Sequence, residues 1–155
     1  MQRAPGEDRL FRVDYGDGDL EFMAQPWFDV DVAGRARPIS GRYDIVIAGV
    51  GKPDDADLAA CLRAAAPRTS AARDGGAVVI PAQLDEGAGE GLEDAAAVAR
   101  QRHLVIIAAS ESPEVVRLAK LRAAVDVEEA LDIAYEHIGR PARASVLLIP
   151  RSATR

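Results

Sequence analysis

The residues able to do chemistry fall between positions 49 and 112. Gly49, Gly51 and Lys52 stand just ahead of a segment whose apolar residues Leu58, Cys61, Leu62 and Ala65 repeat at helical spacing. Glycines in such a turn allow close backbone approach. A helix amino terminus favours an anion, and a lysine adds counter-charge. The chemistry suited to this arrangement is capture of a carboxylate or phosphate. Two observations oppose it. GVGKP is shorter than GxxxxGK[ST] and lacks the third glycine of GxGxxG. Asp54, Asp55 and Asp57 also crowd the same helix start and repel an anion. A tight strand-to-helix turn with an aspartate cap, Asp55 or Asp57, fits these residues equally.

A second cluster is the stretch LDEGAGEG, with Glu86, Gly87, Gly89 and Glu90. It can line a cleft or hold a cation, but a metal site needs further ligands at defined spacing, and none converge on it. Such loops are also ordinary solvated turns. His103 precedes an apolar run and His137 ends a helical one, so each reads as structural or exposed. Ser110 and Ser112 flank Glu111 without a G-x-S-x-G elbow. Cys61 lies on an apolar helix face, as an inert buried thiol would. The sequence therefore offers no catalytic set and no metal set.

The elements that must position these residues are regular after residue 42. Tyr43–Ala48 reads as a buried strand, followed by a helix from about Leu58. Pro67 interrupts it, and residues 68–74 read as a second short helix closed by Gly75-Gly76. Strands follow at 77–81, 104–108, 121–125 and 145–149, and helices at 90–101, 113–120 and 127–138, the last capped by Asp126. Continuous apolar strands alternating with helices imply an α/β fold, a three-layer Rossmann-like domain whose mostly parallel sheet has about five strands. Residues 42–155 form that domain. Residues 1–41 form an N-terminal β extension or linker, with a hairpin around Gly16-Asp17-Gly18 and a strand at WFDVDV. Trp27 and Phe28, next to Met23 and Phe22, either form part of an apolar patch or anchor that extension to the core. Ligands of an open α/β sheet bind beyond the strands' carboxyl ends. That directs attention to loops 49–55, 81–90 and 109–112.

Composition narrows the classes. The chain has 155 residues, 48% hydrophobic, with a net charge of −6. One core without staples is expected. The acidic balance argues against nucleic acid, which wants a basic face. No apolar run is long enough for a membrane span. The charged amino terminus does not read as a secretory signal. The single cysteine, Cys61, gives no sign of an oxidising compartment. Cytoplasmic location is the resulting expectation.

The wording of the loops goes further. YDIVIAGVGKPDDADLAACLRAA, the Gly75-Gly76 turn with AVVIP, then LDEGAGEG, DVEEALDIAYEHIG and SVLLIP together resemble the C-terminal domain of the nickel-dependent lactate racemase family, over about residues 42–150. The resemblance implies 2-hydroxy-acid racemase or epimerase chemistry in full-length relatives. These use a nickel-pincer nucleotide whose tethering lysine, nickel ligand and catalytic histidines belong to the N-terminal domain. On this chain Pro53, Asp55 and Leu58 keep the frame. The family's Tyr-Gln pair falls on Ala59-Ala60, and its basic position falls on Arg63. Losing two orienting side chains weakens positioning, while an arginine still suits a carboxylate.

Two expectations follow. The chain is a truncated or divergent member of that family, inactive alone or acting with a separate N-terminal half. Alternatively it is a non-catalytic module that binds a small anion or pairs with a protein, including a second copy of itself. The cofactor expectation is that this chain alone binds none, the nickel-pincer nucleotide being implied only by the resemblance. The substrate- or cofactor-facing candidates are Gly49, Gly51, Lys52, Asp55, Arg63, Glu86, Gly87 and Gly89. Possible small carboxylates are the expected ligand, and neither nucleic acid nor membrane is an expected partner.

Overall fold

The computed structural model describes residues 9–33 and 42–150. Six strands form one parallel sheet. They are β3 (Phe28–Val32), β4 (Tyr43–Ala48), β5 (Ala72–Pro81), β6 (Leu104–Ala108), β7 (Arg122–Ala124) and β8 (Ala144–Ile149), in the order β3-β8-β4-β5-β6-β7. Strands β1 (Arg9–Tyr15) and β2 (Gly18–Ala24) make a separate antiparallel hairpin, as the Gly16-Asp17-Gly18 spacing predicts. The helices are α1 (Leu58–Thr69), α2 (Leu92–Ala99), α3 (Pro113–Leu118) and α4 (Val127–His137).

Strand alternation splits the core in two. In β4, Val46 and Ala48 face α1, α2 and α3, where Leu58, Cys61, Leu62, Ala65, Ala96 and Val116 are buried. Ile45 and Ile47 face α4 and the hairpin, meeting Ala130, Leu131 and Ala134 together with Val13, Phe22 and Ala24. Both faces of the sheet are thus covered, which is why its strands read as continuous apolar runs. The sequence β4-β5-β6-β7 steps across the sheet in one direction. Helix α4 then carries the chain back, and β8 enters on the far side of β4. The order therefore reverses between β4 and β8, the point where an open parallel sheet takes its ligand.

Two expectations are corrected. Residues 68–74 do not form a second helix. Helix α1 runs through Pro67 to Thr69, and β5 begins at Ala72. Gly75-Gly76 is not a turn before the strand but part of it, where the β4–β5 register shifts. A Cβ on Gly76 would lie 2.8 Å from Asp44 O and 2.9 Å from Arg73 O, so the backbones pack too closely there for any other residue. The expected mostly parallel sheet is present, with six strands, and the strand read at WFDVDV joins it as β3, paired in parallel with β8. The sheet thus draws an edge strand from the segment ahead of residue 42.

The aromatic residues near β3 serve as anchors. Phe28 is buried. Trp27 stacks on Tyr135 of α4 at 5.8 Å, and Phe28 meets the same ring edge-on at 5.5 Å. At the amino ends of the strands, burial opposes ionisation of Asp44. Hydrogen bonds from Arg73 Nε and Ser145 N nevertheless hold its carboxyl below the usual range.

Candidate functional site

The turn after β4 is the centre of the candidate site. Gly49 N donates to Ile149 O at the end of β8 (2.8 Å), which ties the turn to the point of reversal. Gly51 has φ +70°, a conformation that suits glycine, and its carbonyl accepts from Asp55 N at 3.0 Å. Lys52 N donates to Gly16 O at the tip of the hairpin (2.6 Å). The Lys52 ammonium is 2.7 Å from Asp85 Oδ2. That hydrogen bond raises the lysine above its ordinary range and lowers the aspartate below its own. Lys52 is thus already neutralised by a residue of the next loop.

Asp55 and Asp57 divide the roles the sequence leaves open. Asp57 caps α1, its side chain accepting from Ala60 N at 2.8 Å. Asp55 has no exposed surface. Its Oδ2 accepts from Gly16 N at 2.7 Å and from Gln83 N at 3.3 Å. Its Oδ1 has no hydrogen-bond partner among the described residues. The carboxylate therefore joins three segments: the hairpin tip, the turn after β4 and the end of β5.

The loop with Glu86, Gly87 and Gly89 closes the start of α1. Leu58 N donates to Gly87 O and Ala59 N to Ala88 O, each at 2.9 Å. Glu86 contributes through its backbone, its amide donating to Ala56 O at 2.7 Å while its side chain is exposed. Gly89 has φ +78°, and a Cβ there would overlap the Asp57 carboxylate. The first-turn amides of α1 are therefore spent on the protein's own carbonyls and carboxylate. The anion-binding capacity of a helix start is occupied from within.

Arg63 lies elsewhere. It is exposed on α1, and its Nη1 donates to Glu90 O at 3.2 Å. It borders a groove of about 590 Å³ between α1 and α2, floored by Ile80 and Val105 and walled by Leu62, Ala66, Ala95 and Val98. The groove exists because α1 and α2 face each other with short side chains. Gly49, Gly51, Lys52 and Asp55 are not among its lining residues. The structure thus separates the two cations, placing Lys52 at the hairpin tip and Arg63 on the groove. Sequence reasoning missed the groove and the partnership of Lys52 with Asp85, because both depend on segments brought together only by the fold.

The remaining candidates are structural. His103 Nε2 lies 3.2 Å from Ala72 O and His137 Nε2 3.1 Å from Gly75 O, both on the first residues of β5, the end opposite the candidate loops. Burial lowers His103 below its ordinary range. Cys61 is buried, and burial pushes its thiol far above the usual range. Among the described residues no three His, Cys, Asp or Glu side chains are grouped to hold a metal ion. No described helix is long and apolar enough to cross a membrane.

No family model matches the sequence, and no curated protein matches it. Among solved structures, the chain is similar to the lactate racemase apoprotein from Thermoanaerobacterium thermosaccharolyticum. The TM-score is 0.64 and the identity 23%, over 74% of this chain and 35% of that one. The likeness is one of fold, and the chain spans about a third of that protein's length.

Proposed function

We propose that this chain is a non-catalytic lobe related to the C-terminal domain of lactate racemases, which works against a separate lobe carrying the catalytic groups. The observation that supports this reading is the shared fold with a lactate racemase over 74% of the chain. The positions expected to carry a Tyr-Gln pair are Ala59, fully buried, and Ala60. Methyl groups there cannot orient a hydroxyl or a carboxylate.

The residues present do not fit a nickel-pincer nucleotide. Lys52 is engaged by Asp85, and the first-turn amides of α1 are taken. Both histidines bind carbonyls at the far end of the sheet. No reaction step is therefore assigned to the group in this chain. The test is to incubate the purified protein with D- or L-lactate, alone and with a lysine- and histidine-bearing N-terminal half from the same genome, and to read both enantiomers by chiral chromatography. The expected result is no interconversion by the chain alone and a stable complex with the half by sedimentation. Racemisation by the chain alone, or no association, overturns the reading.

A second reading is favoured by the groove. Arg63 has a backbone carbonyl but no carboxylate partner among the described residues, and it stands beside apolar walls. A small carboxylate would pair with the guanidinium and lay its apolar part on Leu62 and Val98. Calorimetry with lactate and longer 2-hydroxy acids tests it. Binding that is lost in Arg63→Gln supports this reading, and binding unaffected by that change removes it.

A further inference from the structure

We infer that the β1–β2 hairpin is a latched lid over the point where the sheet order reverses, with Asp55 as the latch. This does not depend on the racemase reading. The hairpin makes no strand hydrogen bonds to the six-stranded sheet and forms a two-stranded sheet of its own. It is held at its body by burial of Val13, Phe22 and Ala24 against the α4 face. At its tip, hydrogen bonds among the described residues run from Lys52 N to Gly16 O and from Gly16 N to Asp55 Oδ2. These sit at the carboxyl ends of β4 and β5, in the crevice where open parallel sheets take their ligands.

The fit under the tip is close. A Cβ added to Gly49 would lie 3.2 Å from Asp14 N in β1 and 3.2 Å from Ile149 O in β8. The hairpin backbone thus rests directly on the turn. Gly16 has φ +56°, and a Cβ there would overlap the Gln83 side chain. Glycine on both surfaces permits the contact.

Asp55 marks the latch. Among the described residues it is the only buried charged side chain, and one of its two oxygens has no hydrogen-bond partner there. A half-satisfied buried carboxylate is costly, and packing alone does not account for one here. Its satisfied oxygen joins the movable tip to the fixed end of β5. When the tip lifts, both oxygens reach water together with the Gly49–Lys52 turn. Closure thus carries a desolvation cost that opening recovers, so the closed state is held but not locked.

Hydrogen exchange read by mass spectrometry tests this on the whole chain. In the wild type, amides of residues 9–24 should exchange faster than those of β4, β5 and β6, through an opening smaller than global unfolding. Asp55→Asn should speed exchange in residues 9–24 and 49–55 by about ten-fold, the effect of one weakened charge-assisted hydrogen bond. Exchange in β6 should be unchanged. Gly49→Ala, which wedges β1 from below without touching the latch, should do the same. Hairpin exchange as slow as that of β4 and β5 in the wild type overturns the lid. Equal acceleration of the hairpin and β6 in both variants, or of neither, overturns the latch.

Discussion

At the residue scale, His103 shows how a titratable side chain is absorbed by structure. Its ring binds the Ala72 carbonyl, which can only accept, so Nε2 carries the proton. Burial lowers its protonation below the ordinary range. The folded state therefore binds fewer protons than the unfolded chain at a pH just below the unperturbed value of about 6.5. Stability supplied by the neutral ring is complete above that value and is lost as pH falls toward the folded value. The denaturation midpoint in urea should fall on acidification through this window, and His103→Gln should remove that part of the slope. Cys61 was legible as a buried thiol because it sits on an apolar helix face, whereas the sequence left His103 as structural or exposed. The role of Asp55 was not legible. Its identity is local, but its partners Gly16 and Gln83 lie 39 and 28 residues away.

At the element scale, α1 is the piece that brings the loops together. Its amino end is capped by Asp57 and roofed by the carbonyls of Gly87 and Ala88. Asp57→Ala leaves the Ala60 amide without its acceptor and should cost about 1 kcal/mol, measured as a shift in the urea midpoint with an unchanged slope. The sequence located this helix start but left the cap between Asp55 and Asp57, because either aspartate stands just ahead of Leu58, Cys61 and Leu62. It misplaced the helix end. Pro67 falls late in α1, and the last turn closes through Ser70 Oγ donating to Pro67 O rather than ending at the proline. Gly75-Gly76 misled for a related reason. Paired glycines usually punctuate a turn, but here they allow a close approach between β4 and β5 inside the strand.

At the scale of the whole molecule, the fold class was legible because alternating apolar strands and helices admit few architectures. The strand order was not, since nothing local says where the last strand returns. β8 sits between β3 and β4 and supplies the hydrogen-bond partners of both. A chain shortened to end before Ala144 should lose its cooperative thermal transition by circular dichroism, although most of its helices and strands remain in the sequence. Shortening from the other side, to begin after the hairpin, should leave that transition in place at a lower temperature.

The central place of β8 bears on how the protein is made. Phe28 pairs with Ala144 and Ile45 with Val146, so two earlier-translated strands wait for one made well after them. During that interval β3 has no neighbour and one flank of β4 is bare. Strand edges stay open until β8 is made, which makes that interval of synthesis aggregation-prone, and yield in a cell should depend on how quickly translation passes from β4 to β8.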